Sequence, residues 1–278
     1  MRLAKAANYF NRMACTDAYS GAAVFKGQLG LYDDNKRDSE TAERRVLSLS
    51  SDAIIPVRRV IAAAGSRWIV GHANPDDFNG STIRVGYTVH EAPLLARYRT
   101  LEQVCLQRLG TEAYIGRAWV KDRAYTEHSA ELNTQYHLHF STFEAVAVDH
   151  LVSVGDHWYL VRATNPGAGG TLVALAEEMP APELEVAKIT SGAWDPVTET
   201  LGGPEEIVNV VRVRWQSLFE YRTEMAPKFK PGDLQLAIAQ SAMDVSAGAR
   251  VELSDGLWQV ESAIAHKDVW LCRAVRHA

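Results

Sequence analysis

The chain is poor in the features that announce most chemistries. It has three cysteines in 278 residues, Cys15, Cys105 and Cys272. Odd in number and far apart, they make neither a disulfide framework nor a zinc knuckle, and the simplest address for synthesis is a reducing cytoplasm. No apolar run approaches the ~20 residues that span a bilayer. The opening Met1-Arg2-Leu3-Ala4-Lys5 lacks the apolar core of a signal peptide. Basic residues are not in excess: 29 Lys and Arg stand against 34 Asp and Glu, a net charge of -5. With no basic tail or stripe, strong nonspecific nucleic-acid binding is not implied. There is no Gly-x-Ser-x-Gly elbow for a serine hydrolase. Gly167-Ala168-Gly169-Gly170 lacks the Lys-Ser/Thr of a P-loop and reads as a plain turn. Asp76-Asp77 lacks the spacing of a calcium loop.

What is present is β patterning. Hydrophobic residues make up 47% of the chain, enough for a globular core and too many for overall disorder. Short, half-alternating apolar runs are separated by Gly, Asp, Ser and Pro, as in strands joined by turns. The run from Pro231 to Ala274 is the clearest. Asp255-Gly256 between Val251-Glu252-Leu253 and Leu257-Trp258-Gln259-Val260 is a hairpin signal, because Gly tolerates positive φ. Val208, Val210 and Arg212 alternate with Ile207, Asn209, Val211 and Val213, which predicts a strand.

An echo of this stretch occurs twice upstream. Trp68 in Gly65-Ser66-Arg67-Trp68-Ile69-Val70 and Trp158 in Gly155-Asp156-His157-Trp158-Tyr159-Leu160-Val161 match Trp258 in Asp255-Gly256-Leu257-Trp258-Gln259-Val260. A period of roughly ninety to a hundred residues fits a repeated domain and is too long for a solenoid unit. The first and third copies match best. The expected fold is mainly β: two or three small antiparallel β-barrel or sandwich modules with one or two short helices, at about residues 2–14 and 93–109. The first helix rests on Leu3, Ala6, Phe10 and Met13. The second rests on Leu94, Tyr98, Leu101, Cys105 and Leu109, between Pro93 and Gly110. The expected domains are 1–90, an amino-terminal arm with the first β module; 91–180, the helix with the middle module; and 181–278, the closing barrel.

Few residues suggest a site. His137 and His139 are two apart, so on a strand they share a face. With His128, His150 and His157 near in sequence, they are the best metal candidates. Two imidazoles supply only half of a tetrahedral zinc site, and nothing completes it at a telling spacing. The expectation is an outward polar face, with no metal, no cofactor and no catalytic residue. Trp68, Trp158 and Trp258 suit stacking platforms for sugars or bases, but inside apolar strands after tight turns they are expected in barrel cores. Cys105, on an apolar stripe, is expected to be a small core residue.

From Lys188 to Ala274 the order of features resembles the small β-barrel head–tail connector proteins of tailed bacteriophages, the stopper or head-completion proteins of the neck. The features are Trp194-Asp195-Pro196-Val197-Thr198-Glu199-Thr200, the Val208 to Val213 strand, Pro231-Gly232-Asp233, Gly256-Leu257-Trp258-Gln259-Val260 and Val269 to Arg273. In that family an Asp-Pro-x-Thr-Gly-Thr-like loop precedes a strand, a Pro-Gly-Asp entry and a Gly-x-x-Tyr/Trp-x-Val hairpin. Here Glu199 replaces the loop glycine. The likeness covers about the last third of the chain, and typical members are a single domain of roughly a hundred residues. It implies a non-enzymatic virion protein, made in the bacterial cytoplasm, that forms a ring with copies of itself. The implied partners are a portal or adaptor protein on the head side and a tail terminator or tube protein on the tail side. Packaged DNA would occupy the lumen without sequence specificity, and no membrane is involved. The loops Asp33 to Glu43, Asn74 to Gly80 and Gly192 to Glu206 are the candidates for reaching neighbours. A tail terminator, tube or collar component belongs to the same class. Readings from other classes are a monomeric β-sandwich that binds carbohydrate or another ligand, and a metal-dependent hydrolase using His137 and His139.

Overall fold

The computed structural model describes residues 13–31, 44–50, 53–73, 84–119, 135–167, 169–192, 194–195, 197, 200–213 and 232–277. Its strands form three six-stranded antiparallel sheets, each closed into a barrel, plus a two-stranded ribbon. Barrel 1 is built from β1 (Met13–Asp17), β2 (Ala23–Leu31), β3 (Arg44–Ser50), β4 (Val60–Ala63), β5 (Ser66–Ala73) and β6 (Arg84–Glu91). Barrel 2 uses β7 (Leu94–Arg99), β8 (Thr111–Trp119), β9 (Gln135–Ser141), β10 (Leu151–Val154), β11 (His157–Gly167) and β12 (Thr171–Met179). Barrel 3 uses β13 (Glu183–Thr190), β16 (Glu205–Arg212), β17 (Leu234–Ala239), β18 (Arg250–Leu253), β19 (Gly256–His266) and β20 (Val269–Arg276). The ribbon, β14 (Trp194–Asp195) with β15 (Thr200–Leu201), is inserted between the first two strands of barrel 3.

All three barrels share one topology. Around each ring the strands run first, second, third, sixth, fifth, fourth in chain order, so two three-stranded meanders pair third to sixth and close first to fourth. In barrel 1 the closing pair is β1 with β4; in barrel 3 it is β13 with β18. Closure leaves no free edge in the ring.

The repeat extends to single residues. The fourth and fifth strands of each barrel are joined by two-residue hairpins at Ala64-Gly65, Gly155-Asp156 and Ser254-Asp255. The third residue after each turn is Trp68, Tyr159 and Trp258, exposed by only 2%, 0% and 8%. The fifth is Val70, Val161 and Val260, each in its own barrel's core. Each of these valine amides donates to the carbonyl eleven residues upstream, on Arg59, His150 and Ala249. Those three residues donate in turn to Pro56, Ala147 and Ser246. Barrels 1 and 3 also carry a register shift directly after the valine. The middle copy is therefore a full member, and its core aromatic is Tyr159. Trp158, the expected counterpart, lies one position off and is half-buried on the other face of its strand. In barrel 3 the hairpin loop is Ser254-Asp255, and Gly256, at φ 142°, opens β19.

The expected helix at 93–109 is corrected. Leu94 to Arg99 is strand β7, and only Leu101–Cys105 is helical, here α1. Its start is a capping box: Thr100 Oγ1 accepts from the Gln103 amide, and the Gln103 side chain accepts from the Thr100 amide. That reciprocal pair begins the helix after Tyr98, so the apolar spacing from Leu94 spans two elements. Leu109 is 84% exposed. Of the expected helix at 2–14, Met13 and Ala14 belong to β1, and the remainder lies outside the described residues.

By contact density the chain forms two compact units. One is Met1–Tyr98 with Thr111–Glu178, holding barrels 1 and 2; the other is Arg99–Gly110 with Met179–Ala278, holding α1 and barrel 3. In the second unit α1 lies on the outer surface of β16 and β17. The Cys105 thiol donates to the Ala237 carbonyl at 3.4 Å. Burial pushes that thiol up to about 12, so it is an inert packing group, as its place on an apolar stripe predicts.

Candidate functional site: the seam of the first two barrels and the corner of the third

In the first unit the outer surface of β5 and β6 packs on β8 and β9. Its apolar part is Val60, Ile69 and Ala92, all fully buried, with Ala18, Tyr19 and Tyr114 against them. Val60 and Ile69 alternate with the core residues Ile61, Trp68 and Val70, so they point out of barrel 1 into the seam.

A polar cluster closes one side of the seam. The Glu144 side chain is 2% exposed and pairs with the Arg58 guanidinium at 2.6 Å. Arg58 Nε donates to the same carboxylate at 2.9 Å, and Arg58 Nη2 also donates to the Glu112 carbonyl. Tyr98 Oη donates to Glu144 Oε2 at 3.0 Å and Tyr19 Oη to Oε1 at 3.3 Å. The guanidinium lies 3.7 Å from the centre of the Tyr19 ring. Tyr19 Oη accepts from the Tyr114 amide, and Tyr98 Oη from the Ala145 amide. Burial, with the Glu144 charge adding to it, pushes the Tyr19 hydroxyl up to about 12 and raises Tyr98 as well. Both hydroxyls keep their protons and serve as donors, so the cluster is a fixed clamp between Tyr19 and Arg58 on one side and Tyr98 and Glu144 on the other.

The glycine loop makes a second contact between the two barrels. The Gly169 carbonyl accepts from the His72 amide at 2.9 Å. A Cβ on Gly71 would fall 1.7 Å from that carbonyl, and one on Gly169 would fall 2.8 Å from His90 Nε2. The loop therefore docks on barrel 1, and both glycines are there for close backbone approach. The sequence alone reads it as a plain turn, because its partners lie about a hundred residues away along the chain.

His137 and His139 do share a face of β9, and it is the outer one, since Leu138 and Phe140 fill the core. That face is not all solvated. His139 is 4% exposed and stacks at 6.2 Å on His90, which is fully buried. His137 lies 6.3 Å from His139 at a steep angle, and His157 pairs instead with Glu178. Among the described residues no three His, Cys, Asp or Glu side chains are grouped to hold a metal. His128, Asp76-Asp77 and the loops Asp33 to Glu43 and Asn74 to Gly80 lie outside the described residues.

Barrel 3 gathers its charges at the hairpin corner. Arg212 bridges Glu185 at 2.6 Å and Asp255 at 2.9 Å. Asp255 also accepts from Trp258 Nε1, and Glu185 from the amide and hydroxyl of Ser254. The hydrogen bond from Arg212, then that from Trp258, pulls the Asp255 carboxyl down to about 2. Glu185 is lowered too: burial opposes this, and the Ser254 and Arg212 bonds outweigh it. Both acids are lower folded than unfolded, so their stabilisation is present above about pH 4 and fades as pH falls toward about 2. The second unit should lose urea resistance across that window, and Asp255→Asn should flatten the loss, as read by circular dichroism. An unchanged slope in the variant would discount the corner.

A second buried pair, Arg273 with Asp233 at 2.6 Å, ties β20 to the Gly232-Asp233 entry. The ribbon pairs β14 with β15, and Val197, between these strands in the chain, is 89% exposed. No protein family, curated protein or solved structure matches this chain.

Proposed function

We propose that the chain is a structural virion protein of a tailed bacteriophage, joining head to tail as a homo-oligomeric ring around or closing the DNA channel. Its head-side partner is a portal or adaptor, and its tail-side partner a tail terminator or tube protein. DNA in the lumen is met without sequence specificity, and the protein works in the neck or tail region of the particle. One observation carries the reading: the Gly232-Asp233 entry, the Trp258 hairpin and the Val269 to Arg273 strand belong to one closed barrel, and the β14–β15 ribbon is inserted between its first two strands, all in the order of the resemblance. A ring wall needs a scaffold without open strand edges and an arm that reaches beyond it. The barrel supplies the first, and the β14–β15 ribbon, inserted between β13 and β16, supplies the second.

The test is electron microscopy of a lysate in which this gene carries an early stop codon. Free tails beside separate DNA-filled or leaking heads are expected. Intact tailed particles would sink the reading and move the protein to an accessory binding role.

A further inference from the structure

The register of the repeat exposes a difference between equivalent surfaces. On the outer side of the fourth and fifth strands each barrel has two directly opposed cross-strand pairs, and the one farther from the turn is Val60 with Ile69 in barrel 1, Leu151 with Leu160 in barrel 2 and Arg250 with Gln259 in barrel 3. The first two pairs are apolar and buried, at 2% exposure or less. In the third, Arg250 is half-buried and Gln259 exposed. The next positions along the same face follow suit. Ala62 and Arg67 of barrel 1 are half-buried, and their equivalents Glu252 and Leu257 are exposed. Gly71, bare so that a backbone carbonyl can approach, corresponds to Glu261, exposed and paired with Arg273 at 3.0 Å.

In barrel 1 this face docks the next barrel, with Tyr114 against Val60 and Ile69. We propose that in barrel 3 it is a stop face. Arg250, Gln259, Glu252 and Glu261 keep hydrated the surface that in barrel 1 receives a barrel, and so keep barrel 3 from taking a further one from a second copy of this chain. Modules that stack through unlike faces add subunits without limit unless the contact closes or one of the faces is made polar. The inference rests on the repeat alone, independent of the connector reading.

The test restores the barrel-1 chemistry in the full chain, as Arg250→Val with Gln259→Ile. Folding is checked by far-ultraviolet circular dichroism, and mass is followed by light scattering against the unsubstituted chain, whatever that chain's own assembly. The variant should gain mass by about twofold or more with rising concentration, because a new apolar patch is left open on a module built to dock. A folded variant whose mass tracks the parent at every concentration overturns the proposal. The converse change, Ile69→Gln, should weaken the first unit without adding mass; if it leaves urea resistance unchanged, the face is not a docking face in barrel 1 and the comparison fails. Loss of ring formation in the parent would bear on the connector reading and leave this outcome as it is.

Discussion

Replacing Arg58 with alanine should lower the stability of the first unit by about 2–4 kcal/mol. Glu144 sits under the seam with a side chain 2% exposed, and Arg58 is the cation that pairs with it. Removing the guanidinium leaves a carboxylate in low dielectric, with the Tyr19 and Tyr98 hydroxyls as its remaining side-chain donors among the described residues. An abandoned buried charge costs more than the pair was worth, because its desolvation is no longer offset. Arg58 is itself 34% exposed, so the value belongs at the modest end of the range for buried pairs. Glu144→Gln should cost less. It keeps the shape and most acceptor contacts, and the freed guanidinium can turn toward water. Urea titration of both variants checks the order. A Glu144→Gln loss larger than that of Arg58→Ala would show that hydrogen-bond geometry outweighs the charge.

The second large effect tests the repeat. Trp68→Ala, Tyr159→Ala and Trp258→Ala should each cost about 3–5 kcal/mol, as for large aromatic truncations in a closed core. Trp158→Ala, on a half-buried outer position, should cost about 1 kcal/mol. Trp68 also anchors its hairpin by donating to the Ala63 carbonyl at 3.1 Å. Tyr159 accepts from Arg117 at 2.7 Å, so Tyr159→Phe separates ring packing from that bond. Thermal unfolding of the four alanine variants decides the register. If Trp158→Ala and Tyr159→Ala exchange places, the middle barrel has been aligned one residue off.

Local chemistry made much of the fold legible. The Val208 to Val213 alternation, the Gly-marked hairpin turns and the roughly hundred-residue echo all correspond to strands and barrels in the molecule. Matching the copies by tryptophan misled, because the turn sets the register and the core position accepts any large aromatic. The overlong helix failed for a related reason. Leu94 and Tyr98 belong to a period-two strand that happens to feed the period of α1, while the Thr100–Gln103 capping box marked the true start. The seam was not legible. Glu144 is a lone carboxylate in the sequence, and Gly71 and Gly169 look like any loop glycines until the chain brings them within a van der Waals contact. The two histidines were placed on the correct face, but nothing local to β9 says that barrel 1 covers one of them.

The helix α1 bears on how the protein is made. Its buried residues Leu101, Val104 and Cys105 precede β16 and β17, the strands it lies on, by about a hundred residues of chain. At about 5–20 residues per second of synthesis, that apolar edge waits on the order of ten seconds for its seat to leave the ribosome. Barrel 2 can close around the excursion meanwhile, since β7 and β8 pair without it. A shortened version ending after β12 would carry a helix with nothing to rest on, and would be the form most in need of a chaperone.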